Sequence, residues 1–145
     1  MIQIEHVSFQ YANAKEPALR DVSLTIQKGE FVVLLGSSGC GKTTITRLIN
    51  RLVPEFFEGE LEGRVFVDGQ NTDELSIQDL AGVVGSVFQD PRSQFFSAEL
   101  AGEVAFGCEN LGFSVQEIRD RTDGVIRTMG LDALRNTPLD RLSSG

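Results

Sequence analysis

Eight consecutive residues carry the first recognisable chemistry of this chain. Gly36-Ser37-Ser38-Gly39-Cys40-Gly41-Lys42-Thr43 spells G-x-x-x-x-G-K-[ST]. Each position has a physical task. The glycines allow a sharp turn that brings backbone N–H groups close to phosphate oxygens. A helix opening at the end of the loop adds the positive end of its dipole. Lys42 supplies a mobile ammonium for the β- and γ-phosphates. The Thr43 hydroxyl is placed to ligate Mg²⁺, and Thr44, next along, joins the triphosphate-binding set. The expected ligands are therefore ATP, or another nucleoside triphosphate, and Mg²⁺.

The flanking residues supply the context that the motif needs. Phe31-Val32-Val33-Leu34-Leu35 precedes the loop and reads as a strand covered on both faces, because it is apolar without alternation. After the loop, Ile45, Leu48, Ile49 and Leu52 fall on one helical face. Ile2, Ile4, Val7 and Phe9 predict a first strand with an irregularity, since the alternation slips between Ile4 and Val7. Leu19, Val22, Leu24 and Ile26 predict a second strand after a turn at Pro17, with a further turn at Lys28-Gly29. Residues 53–63, with Glu55, Glu58, Glu60 and Glu62, are expected to be a solvated loop. A strand is expected at Arg64–Val67 with a tight turn at Asp68-Gly69, and another at Val83–Phe88, stopped by Asp90-Pro91. From Ser97 the pattern is helical. Ser97 is expected to cap a helix to Asn110. Ser114 and Glu117 form a capping box for a helix whose face is Ile118, Thr122, Val125, Ile126 and Met129, ending at Gly130.

Composition narrows the function classes. The chain has 145 residues and a net charge of −8, with no prominent basic stretch. Nucleic acid is not an expected partner, because binding it needs a cationic footprint. No apolar run reaches the length of a membrane span, and the opening residues are not expected to act as a signal peptide. The two cysteines lack metal-type spacing, which suggests a reducing compartment. Cys40 lies in the phosphate loop. Cys108 falls in an expected helix as a small buried side chain. His6, the one histidine, is expected to be an ordinary strand residue.

A second constellation lies downstream. Gln89 follows the Val83–Phe88 run, and the sequence closes on Leu142-Ser143-Ser144-Gly145. Behind a phosphate loop, this order resembles the ATPase domain of ATP-binding-cassette (ABC) transporters over the whole 145 residues. The resemblance implies an α/β P-loop NTPase (RecA-like) core with an N-terminal antiparallel β subdomain and an α-helical subdomain, C-terminally incomplete. Residues 1–91 would be the β-rich phosphate-loop part and 92–145 the helical subdomain. It also implies roles. Tyr11 would stack on the adenine. Gln89 would contact Mg²⁺ or the attacking water. Lys42 and Gln89 would be the residues closest to catalysis. Ser143, Ser144 and Gly145 would open the signature segment that closes over ATP held by a second ATPase subunit or domain. Ser144 departs from the glycine usual there.

A narrower likeness lies in Gln89-Asp90-Pro91-Arg92-Ser93-Gln94-Phe95-Phe96, Glu103-Val104-Ala105-Phe106-Gly107 and Glu109-Asn110-Leu111-Gly112. It is similar to the ATPases of energy-coupling-factor importers of vitamins and transition-metal ions. There, Phe95 and Phe96 would meet a transmembrane transporter subunit, and the protein would sit on the cytoplasmic side of the cell membrane. The alternative is that the two rings belong to the core of the helical part. In the family, an apolar strand ending in Asp-Glu and a later switch histidine follow the signature. We therefore read the 145 residues as part of a longer cassette and expect them not to turn over ATP efficiently alone. The rival readings are a non-transport cassette ATPase, of the DNA-repair or translation type, and another P-loop enzyme such as a nucleotide kinase.

Overall fold

The computed structural model describes residues 1–90 and 92–142. The chain divides into two compact units, Met1–Ser86 and the residues from Val87 onward.

The first unit is organised by an antiparallel sheet of order β2-β1-β3-β4. β1 is Ile2–Tyr11, β2 Leu19–Ile26, β3 Gly59–Val67 and β4 Gln70–Asn71. β1 is central and explains the slip in its own sequence. Ile4 pairs with Leu24 and Val7 with Val22, and the register shifts between them. His6 takes up the extra residue at φ 50, and Asp21 opposite stands at φ 47. This bulge returns Val7 and Phe9 to the face already used by Ile4, and all three are buried. Side chains satisfy the displaced amides: the His6 amide donates to Ser23 Oγ at 3.0 Å and the Asp21 amide to Ser8 Oγ at 2.9 Å. His6 Nδ1 lies 2.8 Å from Asp21 Oδ1. His6 is thus the pivot of the bulge rather than an ordinary strand residue.

β3 begins earlier than the glutamates suggest. Glu60 pairs with Gln10 and Glu62 with Ser8 along the free edge of β1. Both glutamates are exposed, while Leu61 between them packs on the core. A lone inward leucine is enough when a long strand offers an edge. Asp68 and Gly69, at φ 48 and 80, make the tight turn into β4.

α1 (Lys42–Ile49) lays Leu48 into the same core as Ile4, Val7, Phe9, Leu19, Val53 and Val65, with Ile45 packed beside it. Leu52 falls beyond it, in the single turn α2 (Leu52–Glu55). α3 (Ile77–Ala81) is closed by a Ser76–Asp79 capping box and buries Leu80.

Two expected strands are absent among the described residues. Neither the 31–35 run nor the 83–88 run forms one. Phe31 is 92% exposed, Leu35 87% and Val87 92%. A strand exists only through hydrogen bonds to a neighbour, and the sheet's four strands pair with one another. The Val83 and Val84 amides are instead drawn into the end of α3, both donating to the Leu80 carbonyl.

The second unit contains α4 (Leu100–Asn110) and α5 (Val115–Thr128). α4 starts three residues after Ser97, with Glu99 at its N-cap. Carbonyls of the chain satisfy its first amides: Leu100 donates to Thr137 and Ala101 to Arg135. Ser97 does not cap the helix. Its own amide, with that of Phe96, donates to the Glu103 carboxylate at 2.9 and 3.0 Å. The Ser114–Glu117 capping box of α5 forms as expected. On the expected face, Thr122 and Ile126 are buried, whereas Val125 and Met129 are exposed. Gly130, at φ 68, ends the helix. Among the described residues, no helix is long and apolar enough to cross a membrane.

Candidate functional site

The loop from Gly36 to Gly41 carries no helix or strand, and α1 begins at Lys42 with Gly41 as its N-cap. Gly41 is buried at φ 94, and a methyl group there would come within 2.7 Å of the Ala18 carbonyl oxygen and 2.8 Å of Leu19 Cδ2. Only glycine lets the loop lie this close to the start of β2. Ser37, Ser38, Gly39 and Cys40 are all exposed.

The Lys42 side chain turns back over the loop. Its Nζ donates to the carbonyls of Gly36 at 2.9 Å and Ser37 at 2.7 Å, and lies 3.4 Å from Cys40 Sγ. The ammonium is therefore held inside the ring of backbone that the motif builds. The first turn of α1 contains no acidic residue, so nothing there opposes the helix dipole toward an anion. Thr43 is exposed at this end of the helix, and Thr44 is buried at 5% exposure. One lysine ammonium and a helix start without acidic residues, at an open glycine loop, fit a polyphosphate.

Tyr11 closes β1 beside this helix. Its hydroxyl lies 3.0 Å from Thr44 Oγ1 and accepts from Arg47 Nη1 at 3.2 Å. Its ring meets Phe9 edge-on, centroids 4.8 Å apart. Tyr11 is thus bonded to the helix that begins with Lys42 and Thr43, through Thr44 and Arg47. Arg47 is a residue that the motifs do not indicate. Its only signal is its spacing, three residues after Thr44 and so on the same helical face.

Gln89 is exposed and outside any helix or strand, in the second unit. Ser143, Ser144 and Gly145 lie outside the described residues, as does Pro91. Phe95 is 40% and Phe96 76% exposed, and Phe96 stacks on Phe106 with centroids 4.8 Å apart. Cys40 is exposed, and Cys108 in α4 is half-buried rather than buried.

A family model for the ABC transporter matches residues 19–145. The chain belongs to the ABC transporter family. This ABC chain is 45% identical over its 145 residues to a protein of Treponema denticola named as an ABC transporter ATP-binding protein, and covers 30% of it. A similarly named protein of Pyrococcus abyssi is 44% identical over 145 residues, and 52% of it is covered. The chain thus spans about a third to a half of the length of these curated relatives. Among solved structures, cbiO1 from Clostridium perfringens, part of the ABC transporter complex cbiONQ, matches with a TM-score of 0.81 at 30% identity. That match covers 98% of this chain and 55% of cbiO1. The cassette MJ0796, solved as a dimer bound to ADP and Pi, matches with a TM-score of 0.74 at 27% identity and is 63% covered. The expected ABC ATPase fold, an α/β architecture with an N-terminal antiparallel sheet, therefore holds for this ABC chain.

Proposed function

We propose that this chain is the nucleotide-binding part of an ABC ATPase that drives membrane import, of the energy-coupling-factor type, by binding and hydrolysing ATP as a dimer. The observation that carries the reading is the loop of Gly36 to Thr43, with Lys42 folded onto its carbonyls and Tyr11 bonded to the same helix. In this reading, residues 36–44 hold the triphosphate and Tyr11 stacks on the base. Thr43 and Gln89 would hold Mg²⁺, which when bound offsets phosphate charge and aligns the oxygens for transfer. Lys42 neutralises phosphate charge at a fixed point of the loop. Gln89, whose amide both donates and accepts, orients water and senses nucleotide state. Ser143, Ser144 and Gly145 would complete the site of a partner cassette.

The likeness to cbiO1, part of an ABC transporter complex, supports the ATPase of a transporter, and the dimeric form of MJ0796 supports action in pairs. Exposed Phe95 and Phe96 support a transmembrane subunit as the second partner, which would hold the protein on the cytoplasmic face of the membrane. Co-purification of the full-length protein from detergent-solubilised membranes tests this reading. Capture of a multi-span membrane protein, with ATPase activity in the complex, supports it. Phosphoryl transfer to a nucleoside acceptor by a protein that captures no membrane subunit would favour a kinase.

A further inference from the structure

The tip of Tyr11 is not free. Three segments converge on it: the end of β1, the phosphate-loop helix α1, and residues 56–58. Tyr11 pairs with Gly59, and the Ala12 amide donates to the Glu58 carbonyl at 3.0 Å. The half-buried Arg47 spans the junction. One nitrogen donates to the Tyr11 hydroxyl, while the guanidinium carbon lies 3.8 Å from the centroid of the Phe57 ring. A guanidinium stacked on an aromatic face is held in plane, so its donors point in fixed directions. Arginine has no acceptor, so the phenol oxygen must accept from it. The remaining partner of the phenol is Thr44, itself buried and two residues from Lys42 on the same helix.

We infer that Arg47 is a positioning residue for nucleotide recognition: clamped on Phe57, it fixes the Tyr11 ring to the phosphate-loop helix, so that base stacking and triphosphate binding are set by one rigid element. The ligand class is a nucleoside triphosphate, recognised through the π-face of its base. With its hydroxyl engaged by Arg47 and Thr44, Tyr11 offers the base stacking rather than hydrogen-bond readout, and stacking is tolerant of base identity. The site consequently distinguishes a triphosphate with a base from one without far better than it distinguishes adenine from guanine. This inference rests on the reading of Tyr11 as the base-stacking residue, and the test separates the two.

The experiment compares the affinity of the full-length protein for MgATP with that for magnesium tripolyphosphate, which lacks the base. Variants are Tyr11→Ala, Tyr11→Phe, Arg47→Met, Arg47→Lys and the double variant Tyr11→Phe/Arg47→Met. Tyr11→Ala removes the preference for MgATP if the ring stacks on the base. Tyr11→Phe keeps the ring and loses the tether. Arg47→Met keeps the apolar stem and loses the donor. Arg47→Met is expected to weaken MgATP by about three- to tenfold, the scale of one hydrogen bond, and Tyr11→Phe, which also loses the Thr44 bond, by at least as much, with tripolyphosphate unchanged. The double variant is expected to lose no more than Tyr11→Phe alone, since that change already removes the hydroxyl to which Arg47 donates. Arg47→Lys, which retains a donor, is expected to recover part of the affinity. Equal weakening of both ligands by Arg47→Met would show a general role in folding the helix and would overturn the inference. So would normal MgATP affinity in Arg47→Met when Tyr11→Ala has lost it. Unchanged MgATP preference in Tyr11→Ala would overturn the base-stacking reading itself, and the inference with it.

Discussion

β1 and the run from Phe31 to Leu35 are both apolar segments of the first unit, and they end in opposite states. In β1, which pairs with a strand on each side, Ile4, Val7 and Phe9 are buried in one core with Leu48 and Val53. In the 31–35 run, Phe31, Val33 and Leu35 face solvent and no ladder forms. Hydrophobicity is similar in kind, so it does not decide the outcome. The difference lies in partners: β1 has a strand on each side, and 31–35 has none among the described residues. An apolar sequence states a preference for burial, whereas a strand also requires another backbone to receive its N–H and C=O groups. The contrast bears on function because the 31–35 run leads directly into the phosphate loop. The loop is held from its other side, by α1 and by the tight contact of Gly41 on Ala18 and Leu19.

The largest effect expected from this contrast is in stability. In the 145-residue chain, Phe9→Ala removes a fully buried ring and is expected to cost about 3–5 kcal/mol. Leu35→Ala is expected to stay within about 0.5 kcal/mol, since the side chain is 87% exposed. Urea unfolding of the two variants measures both. Similar costs would erase the contrast and show that the 31–35 run is covered in solution.

A smaller effect sharpens the loop side of the comparison. Cys40 is exposed in the phosphate loop and Cys108 half-buried in α4, so alkylation should modify Cys40 first. In the full-length protein, MgATP at about ten times its Kd should slow Cys40 modification roughly tenfold, as mass action dictates for a site blocked when occupied. Cys108 should be indifferent. Mass spectrometry of timed aliquots reads both rates, and equal Cys40 rates with and without MgATP would displace Cys40 from the phosphate site.

The smallest effects belong to the capping box of α5, where all partners are present, as they are in β1. Ser114→Ala is expected to cost about 1 kcal/mol. The Ser114 hydroxyl, and after it the Ser114 amide, hold the Glu117 carboxyl below its ordinary value. A carboxyl lowered in the folded state contributes stability above its unfolded pKa, about 4.3, and that contribution is lost as pH falls through the lowered value. Thermal melts between neutral and acidic pH should show this loss in the wild type and a weaker one in Ser114→Ala. Parallel pH profiles for the two proteins would count against the box as the cause.

What could be read from the sequence follows the same division. An irregularity between Ile4 and Val7 was legible because the apolar alternation slips there, whereas the pivot at His6, read as an ordinary strand residue, was not. The capping box and Gly130 were legible because they depend on residues close in sequence. The early start of β3 was hidden by its glutamates, whose outward direction is set by the edge of β1. The start of α4 was misplaced because its first amides are satisfied by carbonyls of Arg135 and Thr137, distant in sequence. At the site, Lys42 and Thr43 announce themselves through the motif, and Tyr11 through family resemblance. Arg47 does not, because its role depends on Phe57 and Tyr11 arriving from two other segments. Gln89 stands outside regular structure in the second unit, and Ser143 to Gly145 lie outside the described residues, so their assignments rest on resemblance.

In the proposed function, residues 36–43 form a triphosphate cradle with Lys42 as its cation. Its most direct test is calorimetric titration of MgATP into the full-length protein and into Lys42→Ala. Saturable binding is expected for the wild type, with a loss of at least about tenfold in affinity for the variant, the scale of a charge-assisted hydrogen bond. MgATP affinity that is unchanged in a folded Lys42→Ala protein would contradict it.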